Sequence, residues 1–196
     1  MFSDVKIKIK KKNKILFSRD SLCLQELMRL IEMQNHRTIV LWALDCAQTT
    51  LAQFEAKYPN ELRPRTALDL CQAWSRGEIK MPMAKRAILD SHAVAKEIDD
   101  EYGALAHAIG HAGATVHVET HALGLAIYEL TAIVLKYGKD EFQRPVSEKI
   151  DFYCQRLLYW QENTDKLGYV WADFLADDSR DNKEEILNEK RKLLKS

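Results

Sequence analysis

The sequence predicts an all-α protein, a single multi-helix bundle, and three observations carry that prediction. Apolar residues recur at helical spacing along most of the chain, with no sustained alternation that would mark a sheet. Proline and glycine fall where helices begin and end, as at Pro64, Gly77, Pro82, Gly138 and Pro145. The third is the segment 104–135, ALAHAIGHAGATVHVETHALGLAIYELTAIVL, which carries four of the six histidines in a background of alanine and glycine. The other helices read as a shell built around it.

Taken in order, residues 1–19 form a basic N-terminal segment, 20–178 the helical domain and 179–196 a charged C-terminal helix. Residues Val5–Ile9 alternate with lysine, and a turn at Lys11–Asn13 leads to Lys14–Phe17. The pattern suits a short β-hairpin or a disordered basic tail. Ser18 or Asp20 suits the cap of a first helix through Leu22–Ile31, and Asn35 the cap of a second, through Ile39–Tyr58 and stopped by Pro59. Pro64 begins a third helix, ending at Arg76 before Gly77, and Pro82 a fourth, reaching about Asp100. The histidine segment follows to Tyr137–Gly138, Pro145 opens a helix to about Glu162, and Tyr169–Ala176 and Asn182–Leu194 complete the series. Leu-Asp recurs at Leu44–Asp45, Leu68–Asp69 and Leu89–Asp90, which hints at a degenerate helical repeat.

The histidine spacing is the chemical feature. His107 and His111 are four apart, as are His117 and His121, so each pair shares a helical face. An unbroken helix would place all four within an arc of about 120°. That helix would be about 48 Å long, against a radius of gyration of about 16 Å for a globule of this length. A break is therefore expected between Gly113 and Val118, where glycine and β-branched residues lower helix propensity.

Composition limits the function classes. Lysine plus arginine and aspartate plus glutamate each number 29, for a net charge of zero, which argues against a general nucleic-acid binder. Six lysines between Lys6 and Lys14 are the exception, and they read as a solvated segment. Cys23, Cys46, Cys71 and Cys154 form no CxxC and suit reduced, core-packed thiols. No apolar run reaches transmembrane length, and no secretory signal is evident, so a cytoplasmic protein without membrane contact is expected.

Imidazoles at i, i+4 can share a divalent ion, zinc above all. His107, His111, His117 and His121 are therefore the metal-ligand candidates, completed by Asp45, Asp69, Asp90 or His92 from another helix. The stretch His117-Val-Glu-Thr-His121 is not the zincin motif, because Glu119 lies two residues after His117 and turns about 200° away. Hydrogen-bonded structural imidazoles are the competing reading, and under it no cofactor is expected. No nucleophile elbow, P-loop, dinucleotide fingerprint or calcium loop is present, and the Asp177–Asp181 cluster reads as a solvated linker. Trp42, Trp74, Trp160 and Trp171 each fall on an expected helix, with core packing as their default role. Arg63 and Arg65 flank Pro64 at a helix start, where cations oppose the dipole and call for acidic partners.

Three stretches, LWALDCAQTTLAQFEAKYP (41–59), RPRTALDLCQAWSRGEI (63–79) and AHAIGHAGATVHVETHALGLAIYEL (106–130), together resemble the immunity-five-like family of bacterial polymorphic toxin systems. The similarity spans about 37–137. Leu68–Cys71 is bulkier than the alanines usual in that family. The resemblance implies an all-helical domain that binds and neutralises a protein toxin without catalysis. The positions it matches are Trp42, Asp45, Arg63, Arg65, Trp74, His92, His107, His111, His117 and His121, with no mechanism attached to them. A metal-binding helical protein or metal-dependent hydrolase is the alternative, and a structural module that assembles with itself or another chain is the third.

Overall fold

Helix α6 (Asp100–Ala114) is alanine and glycine on nearly every side, and ten of its fifteen residues are buried. Side chains this small let neighbouring backbones approach closely, and a helix apolar all round belongs inside. It packs against α3 (His36–Lys57), α4 (Arg63–Ser75), α5 (Met81–Val94) and α7 (Ala122–Glu141). Around that centre lie α1 (Ser3–Lys10), α2 (Gln25–Glu32), α8 (Gln143–Asn163), the short α9 (Asp173–Ala176) and α10 (Lys183–Leu193). Short 3-10 turns at Leu22–Leu24, Glu119–His121 and Thr164–Lys166 join them. This computed structural model describes residues 1–177 and 180–194, and those residues contain no strand. The boundary drawn at 178/179, and part of the 177–181 acidic cluster, lie outside the described residues.

Most boundaries follow the local signals. The Asn35 side chain accepts a hydrogen bond from the Thr38 amide at 2.8 Å, Pro64 sits in the first turn of α4, and Gly77 follows its end at φ +76°. Asn182 caps α10, its side chain accepting from the Glu184 amide. The expected break is present: α6 stops at Ala114, and helical structure resumes at Glu119. Gly138, at φ +77°, interrupts α7 one turn before its end. Helix α5 stops at Val94 rather than near Asp100, because the Asp99 side chain instead caps α6 by accepting from the Tyr102 amide. Neither Ser18 nor Asp20 caps the helix that follows. Ser21 occupies that position, and its hydroxyl accepts from the Ser18 amide and donates to Asp4.

The N-terminal hairpin is not formed; those residues are helical. Helical winding gathers Phe2, Val5 and Ile9 on one face: Val5 is fully buried and Phe2 meets Phe142 edge-on at 5.6 Å, while Ile7 is left in solvent. The Lys11–Asn13 turn ends this helix. Lys12 takes φ +55°, its amide bonds the Ile9 carbonyl and the Asn13 amide bonds the Lys8 carbonyl, the Schellman pattern that satisfies terminal carbonyls. Nor is the segment a disordered tail, since Leu16 and Phe17 are buried and the Leu16 amide donates to Thr131 Oγ1 on α7.

Two polar networks tie α8 to α3 and α7. The Trp42 indole donates to the Tyr153 carbonyl at 2.9 Å, and the Tyr153 hydroxyl donates to buried Glu129, whose other oxygen lies 2.8 Å from Lys149 Nζ. Nearer the surface, Asp45 accepts from Arg156 Nε at 2.7 Å and from the Trp160 indole at 2.9 Å. Asp45 thus spends its charge on α8 and pairs with no histidine. Losing one member of a buried pair strands the other charge, which costs about 3–5 kcal/mol. Lys149→Met is therefore expected to lower unfolding free energy by about 3 kcal/mol in urea melts, and Lys149→Met/Glu129→Gln to recover most of that loss.

Candidate functional site

His92 on α5, His107 and His111 on α6, and His121 at the head of α7 form one cluster. Ring centroids are 5.0 Å apart for His92–His107, 5.2 Å for His92–His111 and 5.6 Å for His111–His121. The helix break makes this possible. It separates the spaced pair His117/His121, carrying His121 back toward His111 while exposed His117 stacks on Trp74 at 6.2 Å. The pair His107/His111 stays on one face, and that face meets Tyr128 of α7, at 4.8 Å and 5.1 Å respectively. Among the described residues, no group of three or more His, Cys, Asp or Glu side chains is placed to hold a metal ion.

Two glycines are shaped to the rings. A Cβ on Gly110 would sit 2.6 Å from His92 Cε1, and one on Gly124 would sit 2.5 Å from His111 Cγ and Nδ1. A mid-helix glycine costs about 1 kcal/mol relative to alanine, so the fold gives up helix stability at α6 and α7 to seat imidazoles. Sequence reasoning missed Gly124 and Tyr128. A glycine inside an apolar helical run was the available signal that something approaches it closely.

Burial, and then mutual repulsion, hold the cluster neutral. His111 is lowered to about 3 and His92 to about 4, and His107 and His121 are lowered as well, each chiefly by desolvation. The nitrogens His92 Nδ1 and His107 Nδ1 are 2.9 Å apart. One must donate and the other accept, so two imidazolium ions cannot coexist there. Buried His111 Nδ1 has no hydrogen-bond partner among the described residues.

The remaining nominated residues are elsewhere. Arg63 bridges Glu61 and Glu97 at 2.6 Å each and Arg65 binds Glu55, so the acidic partners expected for both lie in this chain. Asp90 pairs with Arg86 on the surface of α5, and no aspartate of the three Leu-Asp dipeptides reaches a histidine through a hydrogen bond or ion pair among the described residues. The dipeptides are not equivalent either: Leu44 and Leu68 are buried, whereas Leu89 is exposed. Trp42, Trp74 and Trp160 are core residues, while Trp171 precedes α9 and packs on Tyr169 at 4.5 Å. Glu119 faces neither histidine pair. It is buried against His36, with Oε1 3.4 Å from Nδ1, and His36 Nε2 donates to the Thr115 carbonyl at 2.7 Å. His36, missed in the sequence, thereby braces the break from the start of α3.

The histidine wall separates two surface clefts. One, of about 410 Å³, is lined by Trp74, Met81, Lys85, Ile88, Leu89, His92, Ala114, His117 and His121. The other opens beside His111, Gly124 and Tyr128, beneath Ile15 and Phe17.

Gly124→Ala is expected to destabilise the fold by about 2 kcal/mol, because the added methyl strikes the root of the His111 side chain. In a His111→Ala background the sign should reverse, with a gain of up to about 1 kcal/mol from helix propensity; chemical denaturation of the four-member cycle checks both. The pH dependence has a definite direction. An unfolded histidine titrates near 6.5, so the unfolded chain binds protons that folded His92 and His111 refuse. Their stabilisation is complete above about pH 6.5 and declines as pH falls toward about 4 for His92 and about 3 for His111. Melts across pH 7.5 to 4.5 should show a smaller loss in His111→Gln than in the wild type.

A family model matches residues 29–156, well over half of the chain and including the whole histidine cluster. Neither curated proteins nor solved structures gave a match. No helix among the described residues is long and apolar enough to cross a membrane. On the strength of that match, the chain belongs to the family described as Imm-5 like putative immunity protein.

Proposed function

We propose that this protein acts in the cytoplasm as an immunity protein, binding a cognate toxin and blocking it by occlusion rather than by catalysis. Membership of a family of putative immunity proteins supports the role. The observation that carries the mode of action is a mixed face where α4 meets α5, inside the matched residues. There Leu62 and Met83 are 60% and 54% exposed, and they share a shallow groove with Asn60, Arg63, Thr66, Arg86 and Asp90. Exposed apolar side chains bordered by arginine make up the anchor-and-rim pattern of protein interfaces, where a few residues supply most of the affinity.

The rim charges suit encounter. Arg63 is held by two glutamates and Arg86 by Asp90, so both guanidinium groups are oriented before a partner arrives. Such pairs mainly influence association rate and partner choice. The backbone beneath is rigid helix on both sides of the groove, so little ordering entropy is lost on docking.

The test is co-expression with the product of a neighbouring toxin gene, followed by gel filtration and a growth-protection assay. Wild type is expected to co-elute with the toxin and protect. Leu62→Glu/Met83→Glu should weaken the complex about a hundredfold and abolish protection, with its melting temperature unchanged because both side chains face solvent. A double variant that protects fully would remove this face from the proposal. Failure of the wild type to bind or protect would remove the toxin-binding role.

A further inference from the structure

On the opposite side of α5, the cleft of about 410 Å³ differs in kind from the docking face. Its walls are apolar: Trp74, Ile88, Leu89, Met81 and Ala114. Its polar groups are all cationic or capable of donating, namely Lys85, His92, His117 and His121, and no carboxylate lines it. Among the described residues, Lys85, His117 and His121 make no side-chain hydrogen bond or ion pair, so their capacity is unspent. Arg63, Arg65, Arg86 and Arg156, by contrast, are each paired with a carboxylate. Clefts that bind small molecules share this make-up: a volume of about 300–1,000 Å³, an apolar body and a few convergent polar groups.

We propose that this cleft is a binding site for a small, apolar carboxylic acid, its body against Trp74, Ile88 and Leu89 and its carboxylate turned to Lys85 and the imidazoles. Size places the ligand at the small end of the range. The charge follows from the lining. No carboxylate borders the cleft, and Lys85 stands among its lining groups beside three imidazoles that can donate, so a carboxylate is the ligand group that pairs with the ammonium. A neutral ligand of equal shape would leave the ammonium unpaired.

The wall is built to hold its shape. Trp74 is 6% exposed and is wedged from behind by Phe174, at 5.4 Å, while the Ala172 amide bonds the Ser75 carbonyl at 2.9 Å. The C-terminal segment thus fixes the indole, and the cleft exists before any ligand arrives, which lowers the cost of binding.

Isothermal titration of the full chain with 3-phenylpropanoate, and with 3-phenylpropanamide as its neutral isostere, tests the site. The acid is expected to bind and to shift the His117 and His121 ring resonances, with the amide at least about tenfold weaker. Lys85→Met should weaken the acid about tenfold, whereas Arg86→Met, on the far side of the same helix, should leave it unchanged. Equal binding of acid and amide would overturn the proposal. So would equal losses in the two variants, or no binding of the acid at up to about 10 mM. None of these readouts depends on toxin binding, and the Leu62→Glu/Met83→Glu variant should bind the acid normally, so the two ideas fail separately.

Discussion

Burying a helix of alanine and glycine that also carries histidines sets the terms for the rest of the molecule. Small side chains let α3, α4, α5 and α7 close on α6 from all sides, and that closeness takes the imidazoles largely out of water. Each ring must find a ring, a donor or a hole. His107 and His111 take the face of Tyr128, His92 takes His107 and the space above Gly110, and His111 takes the space above Gly124. The cluster stays neutral because charging any member would cost both desolvation and repulsion. Stacking and shape hold it together, with the His92–His107 hydrogen bond between two of the rings.

The contrast with the α3–α7–α8 side shows which forces operate where. There Asp45 pairs with Arg156 and Glu129 with Lys149, the Tyr153 hydroxyl donates to the other oxygen of Glu129, and the Trp160 indole donates to the Asp45 oxygen that Arg156 also binds. Removing charge from that side would leave orphans, whereas adding charge to the histidine side would create them. One bundle therefore has an ionic seam and a neutral aromatic seam, separated by α6 and α7. The aspartates that looked like partners for the histidines belong to the ionic seam or to the surface.

Helix positions were legible in the sequence because they depend on local chemistry. Asn35, Pro64, Gly77, Gly138 and Asn182 each act within one turn of their own backbone. The break after Ala114 was legible from length alone, since a straight helix would outrun the globule. The N-terminal segment was not, because Ile7 and Ile9 alternate with lysine and suit both periods; only the contact of Phe2 with Phe142 settles it. The site was half legible. The histidine spacing identified four cluster or cleft residues, yet it misjudged the grouping, because the break sends His117 to Trp74 and His121 to His111. His36, Tyr128 and Lys85 enter through tertiary packing, for which one sequence has no local signal.

The segments beyond the family match are where this chain completes the site. Residues 29–156 contain the histidine cluster and the floor of the cleft, and segments outside that match pack against both the break and the indole wall. Arg19 donates to the Thr120 carbonyl at 2.8 Å and pairs with buried Glu184 of α10, holding the short turn that carries His121. Asn182 donates to the carbonyls of Ile31, Glu32 and Gln34, anchoring α10 to the end of α2. Phe174 braces Trp74. The terminal segments therefore act as buttresses: they contribute no polar group to the cleft of about 410 Å³, yet they set the position of two of its walls. A change in α9 or α10 would reach the cleft by loosening Trp74 or His121, while the docking face formed by Leu62 and Met83, on the other side of α5, would keep its shape.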